Sequence, residues 1–160
     1  MPELLHQVLR EFTAARGREG EGEKLQEFLL QRIEQIETLC TLVVPRIPTA
    51  IAAYEEKLAG RLRIALQKGD DERVRQEITL FASKIDVDEE LSRLQTHLVE
   101  MKRVLVKGGT VGKRLDFLMQ ELHREANTLG SKSVDAEVSR ASMEMKLLIE
   151  QMREQIQNLE

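Results

Sequence analysis

A chain of 160 residues with 41% hydrophobic, 32% charged and only 3% aromatic side chains suits one domain of long packed helices, and its length forces no second domain. So few aromatics argue against a β-sandwich, and a formal net charge of -4 lacks the basic footprint of an autonomous nucleic-acid binder, although a total hides local patches. The single cysteine, Cys40, excludes an intrachain disulfide and a multi-cysteine zinc site. It fits a reducing compartment. No run approaches the roughly 18 to 20 apolar residues of a membrane span, so the expectation is a soluble, cytoplasmic protein without a membrane partner.

Hydrophobic spacing is helical almost throughout, which predicts an all-α fold: an antiparallel bundle of long helices and helical hairpins, with residues 1–160 as a single helical domain. The stretch 1–44 reads as less regular. Leu5, Val8, Leu9 and Phe12 share one side; after Gly17, Gly20 and Gly22, which argue against one unbroken helix, the pattern resumes at Leu25, Phe28, Leu29, Ile33 and Ile36. Pro45 and Pro48 predict a break near Val44, with Pro48 in the first turn of the next helix. That helix runs through Ile51, Tyr54, Leu58, Leu62 and Ala65 to Gly69, followed by two capping acids. A short helix with Val74, Ile78, Phe81 and Ile85 inside comes next. Val87, Leu91, Leu94, Leu98, Met101 and Leu105 then alternate spacings of four and three, a coiled-coil-like seam ended by Gly108 and Gly109. Leu115, Leu118, Met119, Leu122, Ala126 and Leu129 form another core face, with a cap expected near Gly130. The last seam is Val134, Val138, Ala141, Met145, Leu148, Met152, Ile156 and Leu159, with Lys146, Glu150, Arg153 and Glu154 as intrahelical pairs beside it.

Polar groups concentrate on two of these helices. Glu121 and Glu125 are one turn apart and can reach a shared cation, or equally face water and pair with Arg114, Arg124 and Lys132. Glu90, Arg93 and His97 point one way, as a functional stripe or as a surface ion-pair ladder. Four acids, Asp86, Asp88, Glu89 and Glu90, crowd one helix start; the helix dipole accounts for one or two, and a cation site shared with the 114–133 helix accounts for the excess. Asp116, Gln120, His123 and Asn127 make a further stripe, in which His123 is the titratable member. KGGTVGK at 107–113 lacks phosphate-loop spacing, yet Lys102, Arg103, Lys107, Lys113 and Arg114 form the most basic patch and could hold phosphates or simply solubilise a turn. Cys40 reads as a small buried hydrophobe.

The segments IDVDEELSRLQTHL, GKRLDFLMQELHREANTLGSKS and KLLIEQMREQIQNLE, in that order, closely resemble the C-terminal half of the YicC family of bacterial endoribonucleases, which includes YloC-like proteins. The match is strongest over 85–160, and REGEGEKLQEFLLQRI fits the family's weaker upstream pattern. The resemblance implies a C-terminal part whose N-terminal α/β portion is absent, hexameric assembly around a channel, RNA rather than DNA as partner, and endonucleolytic cleavage supported by a divalent metal, Mg or Mn. Many relatives carry Asn where this chain has His123, which turns attention to His97. The resulting expectation assigns catalysis to His97, Glu121 and Glu125, metal ligation to Glu90, Glu121 and Glu125, and RNA contacts to Lys113, Arg114, Arg124, Asn127 and Lys132. The competing expectation is a non-catalytic helical module for oligomerisation and RNA docking, inactive by itself. A scaffold bundle without RNA function is the third.

Overall fold

The structure, a computed structural model, describes residues 21–108 and 112–158. The expected faces at Leu5, Val8, Leu9 and Phe12, and the positions of Gly109 and Leu159, lie outside the described residues. Six helices account for nearly all the rest: α1 Glu21–Val43, α2 Arg46–Gln67, α3 Asp71–Lys84, α4 Val87–Lys107, α5 Gly112–Lys132 and α6 Ala136–Asn158. Among the described residues there is no strand, and no single helix is long and apolar enough to cross a membrane.

Four helices make the core. α1 packs on α4 and α6, and α5 packs on α4 and α6, so the apolar stripes of α1, α4, α5 and α6 close on one another as an antiparallel bundle. The predicted seams supply its interior: Leu94, Leu98 and Met101 from α4, Leu115, Leu118 and Leu122 from α5, and Ile33 and Ile36 from α1 are essentially without solvent exposure. Removal of each such side chain from water stabilises the fold by about 1.5–3 kcal/mol before entropy is counted. Although Gly22 argued for interruption, α1 is continuous from Glu21, with Gly22 itself buried. Cys40 is buried among these helices, and that burial, aided by nearby Glu37, pushes its thiol up to about 12. It is a packing residue and not a nucleophile.

At Pro45 the chain bends by 42° and continues as α2, which folds back through Gly69 onto α3. Gly69 takes φ 66°, a left-handed turn that costs glycine little, and Asp70 caps α3 by accepting from the Arg73 backbone N–H at 3.1 Å. The hairpin is thin. Tyr54 stacks on Phe81 with ring centroids 5.9 Å apart, and Glu77 is buried between Arg61 at 3.6 Å and Arg73 at 3.1 Å. Ile78 on α3 and Ile85 in the turn after it, expected inside, are exposed together with Ile64, Leu66 and Leu80, because α3 packs chiefly on α2 and has one face to bury.

Two further differences concern α5 and α6. Gly130 is not a cap: α5 continues through it to Lys132, and a Cβ built there would lie 2.5 Å from Ser142 Oγ. The glycine allows α5 and α6 to approach, while buried Ser142 donates to the Ala126 carbonyl. On α6 the register places Ile149, fully buried, where Leu148 had been expected; Leu148 only flanks the core. Lys146 donates across to Asn127 Oδ1 at 3.2 Å instead of pairing along its own helix. The turn before α6 is tied to the hairpin by Arg46, whose guanidinium bonds Asp135 at 2.9 Å and holds that carboxyl below its usual range. Asp135 also accepts from the Val138 backbone N–H at 3.2 Å, closing the first turn of α6.

Candidate functional site

Because α4 and α5 run antiparallel, the start of α4 faces the end of α5. Glu90, Arg93, His97 and Glu100 follow one another at spacings of three, four and three on α4, and Arg114, Phe117, Glu121 and Arg124 repeat those spacings on α5. The two rows meet across the seam: Lys132 Nζ lies 3.2 Å from Glu90 Oε1, His97 Nε2 lies 3.9 Å from Glu121 Oε2, and Arg114 lies 3.5 Å from Glu100 Oε1. A polar strip therefore caps the apolar seam along its length.

Its deepest members are Glu90, 6% exposed, and Glu125, 1% exposed. Burial, then the hydrogen bond to Glu90 and the repulsion of its charge, push Glu125 up to about 7. Burial also pushes Glu90 upward, but hydrogen bonds from Glu125 and Lys132 and the charges of Lys132 and Arg93 outweigh it, leaving Glu90 below the usual carboxyl range. Near neutrality Glu125 is thus the proton-holding member of the pair. Its Oε2 is buried and accepts no hydrogen bond. A buried acceptor without a donor is uncommon in folded proteins and carries a desolvation penalty.

Ligand atoms of His97, Glu121 and Glu125 lie within 4.8 Å of one another. Two carboxylates and an imidazole make a donor set for Mn or Mg, the imidazole suiting Mn better, and a cation would satisfy the unpartnered Glu125 oxygen. The residues present therefore fit the divalent metal that the family resemblance implies. Glu90, which the sequence placed among the ligands, is outside this trio and is engaged instead by Glu125, Lys132 and Arg93.

Of the residues expected to contact RNA, Arg124 is exposed and 3.6 Å from Glu121, Lys132 is held on Glu90, and Lys113 is exposed at the start of α5. Arg114 shares Glu100 with Arg103, whose hydrogen bond holds that carboxyl down at about 2. Asn127 belongs to another face, turned to Lys146 on α6. His123 is exposed, and Asp116 accepts from its neighbour Gln120 at 3.1 Å. Lys102 leaves the expected basic patch altogether for Glu37 on α1, at 3.1 Å. The sequence reading left Glu100 and Phe117 unassigned, although spacings of three from His97 and four to Glu121 place them on the same rows.

An α-helical bundle with a buried carboxyl pair, an adjacent imidazole and guanidinium groups along one seam defines a class of protein built to hold charged groups at a helix interface. The model of the endoribonuclease YicC-like C-terminal family matches residues 43–160, and the chain belongs to that family. It is 49% identical over 153 residues to the "Probable endoribonuclease YicC" of Haemophilus influenzae, covering 96% of this chain and 53% of that protein. With the "Probable endoribonuclease YicC" of Clostridioides difficile it shares 34% identity over 146 residues, covering 89% of this chain and 50% of the relative. The chain thus spans about half the length of these curated relatives.

Proposed function

We propose that this chain carries the RNA-cleaving centre of a cytoplasmic, metal-supported endoribonuclease, with His97, Glu121 and Glu125 as its core. Family membership supports RNA phosphodiesters as the substrate. The observation that carries the assignment to these residues is the buried, unpartnered Glu125 Oε2 among donor atoms that converge within 4.8 Å. Bound there, Mg or Mn would polarise the scissile phosphate and lower the pKa of a water.

The remaining work falls to the chain. Glu90, kept ionised by Lys132 and Arg93, accepts the Glu125 hydrogen bond while Glu125 holds its proton and so positions that carboxyl; a cation bound there would take the place of the proton. His97 presents Nε2 to the same space, where an imidazole can ligate a cation or take part in proton transfer. Arg93, Arg124 and Lys132 surround the acids with positive charge that can hold phosphates, and Arg114 and Lys113 extend it towards the start of α5. Placement of these cations along one seam supports RNA contact by a chain whose net charge is -4.

The competing reading is a docking and oligomerisation module whose cleaving groups lie elsewhere, and the exposed Ile64, Leu66, Ile78, Leu80 and Ile85 on the hairpin favour it. Incubation of the chain with an end-labelled RNA, in Mn, Mg or chelator, separates the two. The proposal expects internal cuts that need metal and vanish with chelator. RNA bound but uncut in every condition, by a chain that sediments as an oligomer, would establish the module instead.

A further inference from the structure

We infer that Phe117 is a stacking platform for an unpaired nucleobase, which makes single-stranded or looped RNA, and not a duplex, the substrate class of the α4–α5 strip. The inference rests on the RNA reading above and adds a residue and a specificity to it. Of the three described phenylalanines, Phe28 packs against the core under Arg32 and Phe81 stacks on Tyr54. Phe117 is the one left open, 48% exposed on the surface of α5.

Its surroundings suit a nucleotide. Phe117 is one turn before Glu121, a rise of about 6 Å along the helix, a separation that neighbouring nucleotides of an unpaired strand span. The Arg114 guanidinium sits 5.7 Å from the ring centroid, within cation–π range, and the same side chain lies 3.5 Å from Glu100. Arg103 and Arg114 share that one carboxylate, so Arg114 is not neutralised by an acid of its own. An aromatic face beside a guanidinium group is the combination that holds unpaired nucleic acid through base stacking and phosphate contacts. Val99 and Val106, the exposed apolar residues of α4, have no such face to offer. A base seated on Phe117 leaves its neighbouring phosphate beside Glu121 and His97, where the proposed cleavage occurs. In an A-form duplex the bases are stacked on one another and none is available to the ring.

The test measures affinity separately from cleavage. Fluorescence anisotropy of a fluorescein-labelled oligoadenylate, at low salt with chelator to suppress cutting, is read for the wild-type chain and for Phe117→Leu, Phe117→Ala and Phe117→Trp, with a duplex of matching length as competitor. Loss of stacking weakens binding by about fivefold to a hundredfold in the Leu and Ala variants; Trp retains wild-type affinity, and the duplex competes poorly. Melting temperatures near wild type for the Leu variant exclude a folding defect. Wild-type affinity in Phe117→Leu, or a duplex that competes as well as the single strand, overturns the inference. A Leu variant whose RNA affinity is intact but whose sedimentation changes assigns the ring to a protein contact and also overturns it. Metal-dependent cutting with an unchanged KM in that variant removes the platform while leaving the cleavage reading standing; a wild-type chain that neither binds nor cuts RNA removes both.

Discussion

Glu125 and Gly130 show how much a single residue decides in this bundle. With its carboxyl folded at about 7 against an ordinary value of 4.5, Glu125 makes the native state bind more protons than the unfolded chain between those two values. Its contribution to stability is therefore fully present below the unfolded value and lost as pH rises through 7. Glu90, lowered, acts in the opposite sense: its contribution is present above the ordinary carboxyl range and disappears as pH falls through its folded value. In chelator, chemical denaturation of the wild type should show a loss on the order of 1–3 kcal/mol between pH 5 and pH 8. Glu125→Gln, which keeps the shape and cannot ionise, should flatten that loss; an unchanged slope would contradict the shared-proton pair. At Gly130 the conflict is steric. An added methyl meets Ser142 Oγ at 2.5 Å and Ser142 Cβ at 3.1 Å, so Gly130→Ala should destabilise by about 1–3 kcal/mol. Thermal melts of Gly130→Ala with and without Ser142→Ala check this, since removal of the hydroxyl should recover part of the deficit. The sequence could not reveal that role: a glycine near a helix end looks like a cap, and only the separation of α5 and α6 shows that its missing side chain is the point.

At the scale of elements, the seams were legible and the hairpin was not. Spacings of three and four on α4 and α5 encode buried faces directly, and every α4 and α5 seam residue read from the sequence is buried. On α3 the same spacing misled, because Ile78 lies on a helix that packs chiefly on α2, and Ile85 falls in the turn after it. Helical period predicts a face; it does not predict whether a partner covers it. On α6 the shift from Leu148 to Ile149 has the same origin, since both residues lie on an apolar arc wide enough for α1 and α5 together. Within α2 and α3 the only buried apolar side chains are Ile47, Leu58 and Ala65, and Ile47 belongs to the main core. Segments with so few buried contacts open at lower free energy than their surroundings. Amide hydrogen exchange should accordingly show α3 and the second half of α2 exchanging at least about tenfold faster than α4 and α5. Equal protection across all the helices would mean that the hairpin is covered in solution by something that packs on its exposed isoleucines and leucines.

For the whole molecule, the bundle works as a support that sets two helix faces against each other. The site residues lie on rigid helices and not on loops, so positions decided by the seam also decide the spacing of His97, Glu121 and Glu125. Much of this was readable in one dimension: Glu90, Arg93 and His97 share a face, and Glu121 and Glu125 share another. What sequence could not supply was the register between the two helices, which sets His97 against Glu121 and Glu90 against Glu125 and Lys132. It also could not distinguish Asn127, turned to α6, from the cations along the strip. The central claim is that these acids and this histidine form a metal-supported RNA-cleaving centre. Its most direct test is single-turnover cleavage of an end-labelled RNA in Mn by the wild-type chain and by a correctly folded Glu121→Gln, Glu125→Gln variant. Metal-dependent cutting by the wild type is expected, with a loss of at least about a hundredfold in the double variant, which lacks both carboxylates proposed as ligands. Full metal-dependent activity in that variant would contradict the claim.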